Sequence, residues 1–343
     1  MARLLSFVGD HHGLSVKRMV INLVDPVVDA GDVAEVVHAT VDSLESVPIA
    51  TFDHDVMYDF RAQRPIVAYA DGKLVDMIQP MMHIDLITDM HGEKFLYVCG
   101  QEPDFRWNAI ASDLLEIIER YGVAEVFSFA GMPAGVPHTR PADMVIRSTI
   151  RTDIQTVHGT AEHFAQLQDF FEYEAGKHGV SVTNIRVRVP FYMAKGPFQF
   201  VSGALAIVKM MASLGGPTLP LGDLEQLEDQ QIQSFRIVVE PDSDFAQLLT
   251  HLEEEYDKLP SNAGVVRPVD SVPQVPSAEE ISRAAEQFLA TVIRDPLEGV
   301  GSSSAVDVDK NKDCDGRDFV PDTQSSLRAS IVDRLRRGKH HRN

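Results

Sequence analysis

Cysteine is scarce: two residues, Cys99 and Cys314, stand in 343, and neither belongs to a CxxC spacing. Neither a disulfide framework nor a thiolate metal knuckle is available, so burial of apolar surface must hold the fold. Cys99 lies in an apolar run and reads as a small buried hydrophobe. Positive charge is also in deficit, with 31 Lys and Arg against 51 Asp and Glu and a net charge of −20. That balance excludes a general affinity for nucleic acid or anionic membrane, since both require cationic surface to displace counterions. Long hydrophobic runs are missing too. Leu4 to Val8 is broken by Gly9, Asp10 and two histidines and is too short for a leader's apolar core, while no later stretch approaches the ~18 apolar residues of a membrane span. A cytoplasmic location is the expectation.

The common catalytic signatures are absent as well. There is no GxGxxG after the first strand-like run, no GxxxxGK[ST], no HExxH and no GxSxG, which leaves the usual phosphate cradles and hydrolase sites without support. A phosphorylase needs glycines and an arginine near the first strand to hold phosphate. Asp25, Pro26, Val27 and Val28 supply a turn and neither requirement. The histidines, among them His11, His12, His83, His91, His158, His163 and His178, show no metal-ligand spacing. Asn311 to Asp322 resembles a calcium loop at Asn311, Asp313, Asp315 and Gly316, but Asp318 occupies the apolar position and Asp322 replaces the bidentate Glu; it reads as a solvated segment. No metal and no cofactor is expected.

What the chain does contain is 44% hydrophobic residues, enough for a sizeable core, arranged as short β-rich runs alternating with segments of helical period. Arg18 to Val24 predicts a buried strand, Gly31 to Ser46 a helix, and Pro48 to Asp53 a second strand. Asp71-Gly72 between two β-like runs predicts a hairpin. Met82 onward, Lys94 to Gly100, Ala124 to Met132, Met144 to Thr149 and Val182 to Val189 read as further strands; Trp107 to Tyr121, Ala161 to Ala175 and Phe198 to Leu214 read as helices. Strand, helix, strand at this spacing favours a parallel crossover. Four regions follow: an N-terminal extension (1–16), an α/β core (17–223), a helical C-terminal addition (224–298), and a Gly-, Ser- and Asp-rich tail (299–343) with too few apolar residues to fold alone.

Three polar strings fall at junctions between strands and loops, where an open parallel sheet places its crevice: YDFRAQRP (58–65), GQEPDFRW (100–107) and GMPAGVPHTRP (131–141). Arg61, Arg64, Glu102, Asp104, Arg106, Trp107, His138 and Arg140 are the candidates for a charged pocket or an interface, because the planar guanidinium suits carboxylates and phosphates. A reading in which these charges simply pair to pin loops competes with it. In the tail, Leu327, Ile331 and Leu335 would share one helical face, ringed by Arg334, Arg336 and Arg337. Two readings stand side by side: the segment folds on docking, onto the acidic body of its own assembly or onto an acidic partner, or it is a solvated tail.

These strings carry a family resemblance. From about Lys17 to Glu228 the chain resembles the proteasome assembly chaperone 2 family, also labelled ATP-grasp-like, whose actinobacterial members carry strings similar to YDFRAQRP, GQEPDFRW and VPHTRP in this order. The resemblance implies a three-layer α/β/α sandwich similar to nucleoside phosphorylases, with appended C-terminal helices. It also implies self-association, for which a homo-oligomeric trimer is the expectation, and, as in eukaryotic and archaeal relatives, chaperoning of proteasome subunits by binding. The chain departs from many relatives at Pro190-Phe191-Tyr192, where they carry Pro-His-Tyr, and at Val28, where they carry Asn before Asp-Ala-Gly. The reading is a non-catalytic assembly or scaffold protein that binds an as yet unidentified protein partner. The alternative is a small-molecule enzyme of phosphorylase-like or ATP-dependent carboxylate–amine ligase type.

Overall fold

Runs that are buried from end to end mark the middle of the sheet. Arg18–Val24 and Ser181–Pro190 are covered along nearly their whole length, the mark of parallel strands with helices on both faces. The computed structural model describes residues 3–24, 29–154, 156, 163–195, 199–238 and 243–258, with only the backbone of 235–238. All of these lie in the unit Met1–Ala284; the second unit, Ala285–Asn343, lies outside the described residues, as do residues 259–298 of the expected helical addition and the tail candidates Leu327, Ile331, Arg334, Leu335, Arg336 and Arg337.

The strands are β1 (Leu5–Phe7), β2 (Arg18–Val24), β3 (Ser46–Phe52), β4 (Ile66–Ala70), β5 (Lys73–Ile78), β6 (Met82–Thr88), β7 (Lys94–Gln101), β8 (Glu125–Ala134), β9 (Met144–Ser148) and β10 (Ser181–Pro190). The helices are α1 (Val33–Val41), α2 (Trp107–Tyr121), α3 (Leu167–Lys177), α4 (Val201–Ser213), α5 (Leu224–Val238) and α6 (Asp244–Lys258). Eight strands form one sheet in the order β1-β3-β6-β7-β2-β8-β10-β9. Its centre, β7-β2-β8-β10, is parallel, and the flanking pairs are antiparallel.

Alternation along the strands sends Met19, Ile21 and Leu23 of β2 and Val126 of β8 to one face, where they join Ile110, Leu114 and Ile117 of α2 and Phe171 of α3. The opposite face packs against α1 and α4. This is the α/β/α sandwich expected from the sequence. α5 packs on α4, with Lys209 Nζ 2.8 Å from Glu225 Oε1. No helix among the described residues is long and apolar enough to cross a membrane.

Local boundaries differ where side chains cap the backbone. The first helix begins at Val33, because Gly31 and Asp32 hold positive φ, and it ends at Val41, ahead of β3. α3 begins at Leu167 rather than Ala161: the Gln166 and Asp169 side chains bond each other's backbone N–H in a capping box. β4 and β5 form a separate two-stranded hairpin whose turn places Asp71 at φ 50° and Gly72 at φ 74°, the geometry of a type I′ connection.

Candidate functional site

β3, β7, β2, β8 and β10 all point the same way, so the three polar strings leave the same carboxyl edge of the sheet. At this edge β2 and β8 part company. They pair only from Arg18 to Ile21 against Glu125 to Ser128, and beyond that point the chain winds outward on either side, which is the switch point where open α/β sheets bind ligands. Here the opening is bridged by the protein's own side chains. Asp29 Oδ1 accepts from Gly131 N at 2.8 Å and Oδ2 from Ala34 N at 2.7 Å. From the other face, the Gln168 amide donates to Phe129 O (3.1 Å) and accepts from Leu23 N (3.2 Å). The approach is close: a Cβ at position 131 would stand 2.0 Å from Ala30 O, so only glycine fits. Burial pushes the Asp29 carboxyl up to about 7, against the pull of its two N–H bonds, and burial with nearby Glu35 pushes Asp32 up to about 6.

The first two strings are laced together. Asp59 N donates to Asp104 Oδ2 at 2.8 Å, Gln63 Nε2 donates to Glu102 O at 2.9 Å, Phe105 N donates to Met57 O at 3.0 Å, and Tyr58 Oη donates to Gln101 O at 2.7 Å. Glu102 accepts from Leu167 N. Trp107 caps the same turn, its Nε1 donating to Pro103 O at 2.7 Å and its ring edge-on to Phe170. Arg61, Arg64 and Arg106 are exposed.

The third string is held by other elements. Arg140 forms a two-pronged pair with Asp257 (2.8 and 2.7 Å) and lies 3.3 Å from Glu253, Thr139 bonds Glu253, and Tyr256 Oη donates to Pro141 O at 2.9 Å. α6 is thereby clamped along residues 139–141. His138 is buried and contacts Tyr192: the phenol lies 2.8 Å from Nδ1 and accepts from the His138 backbone N–H at 2.9 Å. Burial pushes this imidazole down to about 4, so it is neutral at physiological pH. Tyr192 in turn packs edge-on against Phe245 of α6.

One set of polar residues escaped the sequence reading. Asn184, Arg186 and Arg188 alternate along β10 toward one face. Arg186 Nη2 is 2.9 Å from Asp169 Oδ1, Arg147 contacts Asp169 and Glu172, and Arg188 pairs with Asp143 at 3.1 Å. The signal was present: polar residues at every second position of a run otherwise buried on both faces. Among the described residues no three metal-ligating side chains converge. Cys99 Sγ lies 3.2 Å from His83 Nε2, but burial pushes the thiol pKa well above its ordinary value, which keeps it a poor nucleophile.

A family model described as the PAC2 family matches residues 23–235. Comparison with curated proteins finds no match. Among solved structures, a protein of unknown function from Corynebacterium glutamicum is 22% identical, with a TM-score of 0.68 over 75% of this chain and 97% of that one. A Mycobacterium tuberculosis protein of unknown function is 25% identical, with a TM-score of 0.68 over 75% and 90%. A proteasome-assembly chaperone homologue from M. tuberculosis is 22% identical, with a TM-score of 0.60 over 68% and 99%.

Proposed function

The chain belongs to the PAC2 family, and on that premise we propose that it is a non-catalytic assembly or scaffold protein of the proteasome-assembly-chaperone kind, acting in the cytoplasm as a homo-oligomer. The observation that carries this reading is the β4–β5 hairpin. Val67 pairs with Met77 and Tyr69 with Leu74, with one residue of β5 left over at the shift between them. Residues two apart on a strand share a face, as do directly opposed residues. The extra residue therefore puts Leu74 and Val75 on the same side, together with Val67, Tyr69 and Met77. All five are exposed, Tyr69 to 70%.

An isolated two-stranded hairpin is marginal in water, and an apolar face of this kind marks a protein interaction site. A second copy covers it with a surface that every subunit possesses, and a head-to-tail contact that closes on itself gives a ring, here a trimer. Light scattering on the full chain is expected to give about three times the 38.0 kDa protomer mass. Tyr69→Asp with Leu74→Asp is expected to give protomers of unchanged circular dichroism. A wild-type chain that runs as a protomer at micromolar concentration sinks the self-association reading.

A further inference from the structure

We propose that Arg61, Arg64 and Arg106 form a docking surface for an acidic segment of a partner protein, one in which carboxylates flank an apolar side chain. The inference deepens the assembly reading and rests on it for the existence of a partner. Its basis is a division of labour between the charges of the first two strings. The carboxylates are spent inward: Asp59 Oδ1 accepts from Arg61 N at 2.9 Å, Asp104 Oδ2 accepts from Asp59 N and from Gln63 Nε2, and Glu102 accepts from Leu167 N. The guanidiniums are left outward. All three are exposed, and none forms an ion pair among the described residues.

By contrast, the half-buried Arg140, Arg147 and Arg151 and the buried Arg186 and Arg188 each hold a carboxylate. The three arginines are also brought together by backbone that is already fixed, since Asp59 is bonded to Asp104 and Phe105 to Met57. Little ordering remains for the partner to impose, which favours binding. Phe105, next to Arg106 in the chain, and Val56, next to the Met57 that bonds Phe105, expose 51% and 44% of their surface and add apolar surface to the same loops. The planar fork of arginine matches a carboxylate in two parallel bonds. The acidic remainder of the molecule repels nucleic acid and anionic membrane at longer range, which selects a short acidic peptide over either polyanion.

Peptides displayed as a random library, selected on the full-length chain at low salt and counter-selected on Arg61→Gln/Arg64→Gln/Arg106→Gln, test the proposal. The enriched sequences are expected to carry at least two Asp or Glu around an aromatic or branched apolar residue. Synthetic copies should bind the triple variant at least tenfold more weakly, and should weaken as salt rises. Enrichment of uncharged peptides, equal affinity for the variant, or tighter binding of a single-stranded oligonucleotide overturns the proposal. Oligomer mass separates the two readings. If the variant alone loses its oligomeric mass, the arginines serve self-association and the peptide surface is refuted while the assembly reading stands. If the wild type is a protomer yet selects acidic peptides, self-association fails and the docking surface holds.

Discussion

Asp29 and His138 are both buried titratable groups at the carboxyl edge, and they load the pH dependence of stability in opposite directions. The Asp29 carboxyl rises from 3.8 to about 7 through burial, so between those values the folded state holds more proton than the unfolded one. Its contribution is therefore fully present below about 4 and is lost as pH rises through 7, by roughly 4 kcal/mol across the window. His138 falls from 6.5 to about 4, again through burial, so here the unfolded state binds the proton. Its contribution is present above 6.5 and is lost as pH falls toward 4, by roughly 3 kcal/mol. The two slopes largely cancel in the wild type, and single replacements should expose them. With Asp29→Asn the melting temperature is expected to rise more steeply from pH 4.5 to 7 than in wild type; with His138→Gln it should fall over the same range. Parallel melting curves for wild type and either variant would show that the group is not buried as described. Neither residue's environment was legible in the sequence, because Gly131 lies 102 positions from Asp29 and Tyr192 lies 54 from His138.

The elements divide into those that local pattern specifies and those that distant contacts specify. α2 was legible residue for residue, since its apolar period is uninterrupted and Gly122 ends it in the left-handed conformation. The hairpin was legible from Asp71-Gly72. Its bulge was not, because nothing in KLVDMI marks whether Leu74 or Val75 is the extra residue, and the register alone decides which face becomes apolar. The start of α3 was missed because Gln is a poor N-cap by preference and acts here through Asp169. The docking of α6 belongs to the same class. It rests on Phe245 and Leu252, both buried, and on the clamp of Arg140 to Asp257. The ion pair is screened by solvent and weak, since Asp257 is 53% exposed, whereas truncating a buried aromatic costs ~3–5 kcal/mol. Hydrogen exchange should therefore show α6 amides opening far faster in Phe245→Ala, only slightly faster in Arg140→Ala, and α2 unchanged in both. Equal effects of the two substitutions would mean that charge, and not packing, seats the helix.

For the molecule as a whole, alternating strand and helix periods made an α/β sandwich legible, but the strand order was not. β2 lies between β7 and β8, which the sequence joins directly through α2, and no local signal records an insertion made 70 residues earlier. The consequence falls at the point where β2 and β8 separate. In a nucleotide- or nucleoside-binding member of this architecture, the opening receives phosphate or ribose through free backbone donors. Here Gly131 N and Leu23 N are already bonded to Asp29 and Gln168. A buried carboxylate in that place would also have to be displaced from two N–H bonds before an anion approached. The assembly reading therefore predicts no response to phosphate, nucleosides or ATP with magnesium. A ligand present at a hundred times its dissociation constant stabilises the fold by ~2.7 kcal/mol, which for a chain of this size moves the melting temperature by ~4–5 °C. Melting curves at millimolar phosphate, adenosine, inosine and ATP–Mg should superimpose on the apo curve to within a degree. A shift of several degrees with any of them, abolished by an Asp29 substitution that leaves the oligomer mass intact, would replace the scaffold with an enzyme.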